Sequence, residues 1–139
     1  MKPTLKTILL ALFTGTILSS CGGGGGNDDP QPSEENLAIT TNPPINGQQE
    51  TAAPGPTFPL TVTVTSAMPP QGVKIDITAR PDQAGSTAFF TTTQTTKNAT
   101  SNFTITNTPQ GTTSRVTVTV TSVSKPGNTK SGFYLYSRK

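Results

Sequence analysis

Apolar and polar residues alternate with a period of two along three segments of the chain, Phe58–Thr65, Val73–Arg80 and Arg115–Thr121. Strict alternation of this kind predicts a β-strand with one buried and one solvated face. Threonine occupies most of the polar positions, and its β-branched side chain suits the solvated face of a sheet. We find no helical periodicity between residues 37 and 139, so the pattern predicts an all-β domain.

Shorter candidate strands complete the pattern, and proline- and glycine-rich turn signals separate them. They are Leu37–Thr41, Ala88–Thr93, Phe103–Thr106 and Gly132–Ser137. The threonine-rich run 91–96 reads as an edge strand. About seven short strands with polar outer faces predict a single antiparallel two-sheet sandwich.

The order of turns and strands in the last third of the chain is similar to that of a known class of domain. Pro109-Gln110-Gly111-Thr112 is followed by Val116-Thr117-Val118-Thr119-Val120, a glycine-containing turn and a final short strand. This succession resembles the later strands of immunoglobulin-like and fibronectin-type-III-like domains. The resemblance implies an immunoglobulin-like sandwich over residues 37–139, but a fold of this kind hosts many activities and does not name one.

The first twenty residues have the organisation of a secretory signal. Lys2 and Lys6 form a short basic N-terminal region, and a mostly apolar stretch from Ile8 to Leu18 follows. A membrane-spanning helix needs about 20 apolar residues, so this stretch is too short to be one. Its length and the small residues after it are typical of a signal peptide.

The run Leu18-Ser19-Ser20-Cys21 resembles the lipobox of bacterial lipoproteins. That resemblance implies removal of residues 1–20, acylation of the Cys21 thiol and anchoring of the mature protein in a membrane. Gly22 stands where an aspartate favours inner-membrane retention, so the resemblance implies the outer membrane, with periplasmic and surface orientations both open. The alternative is an ordinary secreted protein with a chance cysteine.

Residues 21–36 read as the lipidated cysteine and a flexible tether. Five glycines, prolines and four acidic residues fill this stretch, and glycine-rich chain is flexible. Residues 37–139 carry eight Lys or Arg and three acids, a formal charge of +5. A basic domain can favour acidic partners, but the charges are scattered, so we expect no specific nucleic-acid partner.

Candidate catalytic chemistry is sparse. The sequence has no histidine, which excludes Ser-His-Asp and Cys-His catalysis, and its single cysteine is assigned to the lipid. Of the domain's acids, Asp76 lies between Lys74 and Arg80 on a polar strand face, which favours a surface ion pair. We therefore expect no enzyme activity, no metal and no cofactor.

A binding surface is a better candidate for a functional site than a catalytic centre. If Phe133 and Leu135 point inward, Tyr134 and Tyr136 point outward. Pairing of the last strand with Arg115–Thr121, and of that strand with Val73–Arg80, would add basic residues to the same face. Aromatic and arginine side chains are enriched at binding hot spots. The predicted surface is Tyr134, Tyr136, Arg115, Lys74 and Arg80; the alternative is that the tyrosines merely cover the sheet.

These features predict a lipid-anchored, non-catalytic binding, adhesion or structural module of the cell envelope. Its partners would be the membrane, through Cys21, and a protein or glycan at the envelope. The alternative function is that of an accessory glycan-binding subunit in polysaccharide capture or hydrolysis.

Overall fold

The computed structural model describes residues 33–139. Within this range the chain forms strands and no helix, in agreement with the absence of helical periodicity. No helix long and apolar enough to cross a membrane occurs in this part of the chain. The strands are β1 (Ile39–Asn42), β2 (Asn46–Gln49), β3 (Phe58–Val64), β4 (Val73–Pro81), β5 (Phe90–Thr96), β6 (Thr100–Ile105), β7 (Thr113–Ser122) and β8 (Thr129–Ser137).

The strands form two sheets, with the order β1-β3-β6 in one and β2-β8-β7-β4-β5 in the other. Every pairing is antiparallel except that of β2 with β8, which is parallel. The prediction of an all-β, two-sheet sandwich is confirmed. The described strands number eight rather than about seven, because β2 contains no apolar residue and has no alternation to detect.

The core lies between the sheets and consists of the apolar residues that the alternation selects. On β3, β4 and β7 these side chains are 5% exposed or less wherever the pattern predicts an inward position, except Phe58 at 9%. The described core is Leu37, Phe58, Leu60, Val62, Val64, Val73, Ile75, Ile77, Ala79, Ile105, Val116, Val118, Val120, Tyr134 and Tyr136.

The neighbours predicted for the last strand are also confirmed. β8 pairs with β7, and β7 pairs with β4, so that Arg115 lies opposite Leu135 on one side and Arg80 on the other. β5 is an edge strand, as the threonine-rich run suggests, and it covers Phe90–Thr96.

Residues just before the predicted boundary at residue 37 form hydrogen bonds with the sandwich. The Glu34 carboxylate accepts hydrogen bonds from Asn128 Nδ2 at 2.7 Å and from Ser124 Oγ at 2.9 Å. Asn128 also donates to the Glu35 carbonyl at 2.8 Å and accepts from the Leu37 amide at 2.8 Å. Residues 34–37 are therefore joined to the turn between β7 and β8.

Several predictions lie outside the described residues. They are the signal peptide at residues 1–20, the lipid site at Cys21 and the tether as far as residue 32.

Candidate functional site

The outer face of the five-stranded sheet carries the three basic residues predicted for a binding surface. Lys74 and Arg80 lie on β4 and Arg115 on β7, and the register places all three on the solvated side. The structure thus brings Arg80 and Arg115 together as cross-strand neighbours, while Lys74 lies at the other end of β4.

The predicted outward orientation of the two tyrosines is wrong. Tyr134 is 1% exposed and Tyr136 is 2% exposed, and both belong to the core. The ring of Tyr136 meets that of Phe58 edge-on, with 4.4 Å between the centroids. Phe133 and Leu135 take the outer face instead, because the larger aromatic pair fills the space between the sheets.

On the outer face, the half-buried ring of Phe133 is covered by Arg115. The Arg115 guanidinium lies 4.0 Å from the centroid of the Phe133 ring, a cation–π contact that shields the ring from water. Gly47 of β2 packs at the edge of the same ring.

The charges on this face are mostly engaged with one another. Arg115 Nε donates to Asp82 at 2.7 Å, and Lys74 Nζ lies 3.0 Å from Asp76 in the predicted ion pair. Because these groups already have partners, the outer face offers few groups for a ligand.

A cleft of about 260 Å³ opens between the two sheets, at the edge formed by β1, β3 and β8. Its inner wall is aromatic and comes from β3 and β8, whereas its mouth is formed by the end of β1 and the chain that follows β2. The lining residues are Asn42, Pro43, Glu50, Thr51, Ala53, Phe58, Pro59, Thr61, Tyr134 and Tyr136.

The two tyrosine hydroxyls at the cleft differ in their hydrogen bonding. Tyr136 Oη lies 2.6 Å from Thr108 Oγ1, and the two share a hydrogen bond. Tyr134 Oη is buried and has no hydrogen-bond partner among residues 33–139. A buried polar group without a partner costs about 1–3 kcal/mol, so this hydroxyl destabilises the fold.

Three other buried polar atoms in the described chain lack partners, namely Ser101 Oγ, Ser114 Oγ and Arg138 Nε. None of these residues lines the cleft. Tyr134 is the one of these four residues that lines the cleft, and its hydroxyl is inaccessible to solvent.

The chain segment between β2 and β3, which forms part of the cleft, is held in place by backbone hydrogen bonds. The Glu50 amide donates to the Leu135 carbonyl at 2.7 Å, and the Ala53 amide donates to the Ser137 carbonyl at 3.2 Å. The Lys139 amide donates in turn to the Ala53 carbonyl at 3.1 Å. Glu50 and Thr51 are thereby positioned against β8, and the cleft is largely preformed.

The surroundings of Tyr134 keep its hydroxyl group protonated. Burial raises the pKa of Tyr134, and the neighbouring Tyr136 and the Glu50 carboxylate raise it further. Burial also raises the pKa of Tyr136, although its hydrogen bond to Thr108 lowers it in part. The Tyr134 hydroxyl keeps its proton at physiological pH, and Glu50 is the charged residue of the lining.

The cleft lies at the end of the sandwich opposite to the first described residues. Asn128, which binds residues 34–37, precedes β8, whereas Tyr134 and Tyr136 lie near its end. A strand rises about 3.3 Å per residue, so roughly 20 Å separates the two ends.

The described residues contain no group of three His, Cys, Asp or Glu side chains that could hold a metal ion. Sequence reasoning did not identify Glu50, Phe58 or Asn42 as cleft residues. No local signal marks them, because they come from three separate segments that only the fold brings together.

Comparison with known proteins gives no match, neither to a protein-family model nor to a curated protein.

Proposed function

We propose that this protein is a lipid-anchored, non-catalytic binding module of the bacterial outer membrane. Residues 1–20 are removed as a signal peptide, and Cys21 carries the acyl chains. The lipobox-like run Leu18-Ser19-Ser20-Cys21 supports this assignment. An immunoglobulin-like domain is supported by the strand order, since each of the two sheets combines strands from both halves of the chain.

The observation that carries the binding function is the cleft of about 260 Å³ between the sheets, with Phe58 in its wall and Glu50 at its mouth. Ligand sites are concave and mostly apolar, with a few polar groups that fix orientation. The cleft has this composition, and it lies at the end of the domain remote from residues 34–37.

Anchoring is tested by labelling cells with a fatty-acid analogue and separating membrane from soluble fractions. We expect the wild type to carry label and to remain with membranes, and Cys21→Ala to carry none. Equal labelling of the two proteins would contradict the anchor, whatever the domain binds.

Binding is tested by incubating the full chain, in detergent, with isolated envelope fractions. We expect retention by the wild type and by Arg80→Ala on the outer face, and loss in Thr51→Trp. Thr51 is exposed at the cleft mouth, so the tryptophan blocks the cleft without entering the core. Retention of Thr51→Trp together with loss in Arg80→Ala would move the binding site to the outer face.

The alternative function is an accessory glycan-binding subunit of a polysaccharide-capture or hydrolysis system. The aromatic wall and the hydrogen-bonding side chains of the cleft favour it over adhesion through a flat protein surface. An exposed aromatic platform does not support it, because Tyr134 and Tyr136 are buried and Arg115 covers Phe133.

A further inference from the structure

We propose that β5 is a self-association surface, through which two copies of this protein pair edge to edge, antiparallel, about a two-fold axis at Thr93. The surface is the open backbone edge of Phe90–Thr96, and the pairing joins two five-stranded sheets into one. This inference goes beyond the proposed binding function and depends neither on the lipid anchor nor on the cleft.

Strand β5 leaves one side of its backbone without a partner strand. It is the last strand of the five-stranded sheet, and among residues 33–139 it pairs with β4 alone. The register of this pair is continuous from Phe90 to Thr96, so the edge has no interruption. An open edge of this kind is a template for another strand, because its N–H and C=O groups have no partner.

The hydrogen bonds of β4 identify which backbone groups lie at that edge. The Ala79 carbonyl accepts a hydrogen bond from the Phe89 amide at 2.9 Å, so the odd-numbered residues of β4 direct their backbone groups toward β5. These residues lie opposite the even-numbered residues of β5. Backbone groups alternate between the two sides of a strand. The groups at the open edge are therefore those of Thr91, Thr93 and Thr95.

Strand β5 lacks the features that protect the edges of natural sheets, which are short length, lysine, proline or a bulge. Phe90–Thr96 contains no charged residue and no proline. The edge strands β1 and β2 have four residues each, and the register of β2 with β8 is irregular. The edge of β6 is open as well, but β6 is one residue shorter and contains Asn102, of a type depleted in strands.

The sequence of β5 is complementary to itself. In an antiparallel pair centred on Thr93, this residue lies opposite its own copy, and Thr91 lies opposite Thr95. The two copies then exchange about six backbone hydrogen bonds through these residues, and a shift by two positions loses about two of them. Thr92 of one copy lies beside Gln94 of the other, where a hydroxyl and an amide can form a hydrogen bond.

Pairs of hydroxyls already join neighbouring strands on the exposed face of this sheet. Thr119 Oγ1 lies 2.8 Å from Ser131 Oγ, and Thr121 Oγ1 lies 3.0 Å from Thr129 Oγ1. Such pairs stabilise antiparallel strands. The three edge threonines of β5 have exposed side chains, and pairing with a second copy extends the same arrangement across the axis.

No like charges meet in the paired arrangement. Lys97, the first charged residue after β5, lies opposite Phe89 of the other copy, and the two Lys97 residues are about 26 Å apart. The two Asp76 carboxylates, opposite Thr93 on β4, are three strand spacings apart, about 14 Å. Both separations exceed the Debye length of about 8 Å at physiological ionic strength. Symmetry thus brings compatible groups together, which favours a second copy over an unrelated strand.

The contact is small, so the dimer is weak. A strand of seven residues is about 23 Å long, and pairing along it buries less than the roughly 1,200 Å² of a stable interface. We therefore expect the fraction of dimer to rise with protein concentration.

Disulfide trapping tests both the pairing and its register. Thr93→Cys places two thiols across the axis with about 5.5 Å between their Cα atoms, within the range of a disulfide. Thr95→Cys is the matched control, because it is an exposed threonine of the same strand whose two copies would be about 14 Å apart. The parent chain contains Cys21 as its single cysteine and gives the background.

The variants are oxidised with copper phenanthroline as full chains in detergent, over a range of concentrations. We expect a disulfide-linked dimer from Thr93→Cys and only background from Thr95→Cys. The double variant Thr91→Cys/Thr95→Cys should form the dimer again. Background alone from Thr93→Cys, or equal dimer from Thr93→Cys and Thr95→Cys, would overturn the proposal. Dimer formed only by Asn102→Cys would place the contact on β6 and overturn it as well.

A proline at the edge gives a second, independent measurement. Thr91→Pro removes an N–H that points away from β4, so the bonds within the sheet remain. Combined with Thr93→Cys, it should lower the yield of dimer several-fold, whereas Thr91→Ala should leave the yield unchanged. Thermal melts show whether each variant is folded. An unchanged yield from a folded chain with Thr91→Pro would contradict pairing through this edge.

Discussion

At the scale of single residues, Tyr134 and Tyr136 show that the same type of side chain can have opposite effects on the stability of the fold. Both rings are buried in the same core, with 6.0 Å between their centroids. The hydroxyl of Tyr136 is satisfied by Thr108, whereas that of Tyr134 has no partner among the described residues. The Tyr136 hydroxyl therefore stabilises the folded state, whereas the Tyr134 hydroxyl destabilises it.

We predict that Tyr134→Phe raises the melting temperature and that Tyr136→Phe lowers it. Removing an unpartnered buried hydroxyl relieves a desolvation cost, whereas removing the partner of Thr108 loses a hydrogen bond worth about 1 kcal/mol and strands the threonine. The two substitutions are chemically identical and serve as each other's control. Thermal or urea unfolding followed by circular dichroism measures the difference.

A lower stability of Tyr134→Phe would mean that its hydroxyl is satisfied in the free protein. The sign of the change in stability therefore reports whether the Tyr134 hydroxyl has a partner in the folded protein.

The orientation of these tyrosines could not be predicted from the sequence. Residues 133–136 are all apolar or aromatic, so alternation provides no polar face to distinguish the two registers. The choice depends on neighbours elsewhere in the chain. Phe58 fills the core beside Tyr136, and Arg115 covers Phe133 outside.

At the scale of strands, alternation was reliable where polar and apolar residues differ clearly. On β7 every second residue is buried, and on β4 the same holds from Val73 to Ala79. β2 lies at the other extreme, because its four residues, Asn46–Gln49, are all polar and exposed. It becomes a strand only because β8 offers a free edge, which no local pattern reveals.

We predict that Val118→Asp abolishes the cooperative unfolding of the domain. Val118 is 0% exposed, and an unpaired buried carboxylate costs several kcal/mol, whereas a small domain has about 5–15 kcal/mol in total. The adjacent Thr119 faces outward but lies opposite Asp76, so a carboxylate there meets a like charge. Thr121 lies opposite Lys74 and is the better control.

Thr121→Asp should melt close to the wild-type temperature, and Thr119→Asp only slightly below it. Circular dichroism melts of the three variants compare them directly. Similar unfolding of Val118→Asp and Thr121→Asp would contradict the assignment of inner and outer faces on β7.

The turn before β4 depends on a glycine. Gly72 has a φ of +82°, and a Cβ there would clash with the Thr96 carbonyl oxygen. We predict that Gly72→Ala destabilises the domain by about 1–3 kcal/mol, through overpacking and backbone strain. Gly127→Ala is the control, since nothing lies within 4 Å of its Cβ position, and its melting temperature should stay near that of the wild type.

At the scale of the whole molecule, the sequence predicted the class of fold but not the site. Each strand of the core is encoded locally, so the sandwich follows from patterns within single segments. The cleft combines Asn42, Glu50, Phe58 and Tyr134, which belong to four parts of the chain. Their meeting depends on how the two sheets pack, and that information is not local.

The boundary of the domain is a further property of the whole molecule. The predicted boundary at residue 37 treats acidic residues 34 and 35 as solvated tether, because charge near glycine and proline is typical of linkers. In the structure these residues cap the turn between β7 and β8. The Glu35 carboxylate also accepts a hydrogen bond from the Ala67 amide at 2.9 Å, in the loop that follows β3.

We predict that a fragment of residues 33–139 melts at a higher temperature than a fragment of residues 37–139. The shorter fragment loses the Glu34 and Glu35 contacts and leaves Asn128 Nδ2, a donor of a largely buried residue, without its acceptors. Both fragments keep every strand, so both should show β-sheet circular dichroism and a cooperative transition. Equal melting temperatures would mean that residues 33–36 act as linker.

The difference between the fragments should also depend on pH. Hydrogen bonds from Ser122, Asn128 and Ser124, and the charge of Lys125, lower the pKa of Glu34 from its ordinary value of 4.5. A carboxyl whose pKa is lower in the folded state stabilises that state above its ordinary pKa and loses the effect as pH falls. The advantage of the longer fragment should therefore be full at pH 7 and shrink below about pH 4.5. In Glu34→Gln the pH-dependent part should vanish, which separates the charge of Glu34 from the remaining contacts of residues 33–36.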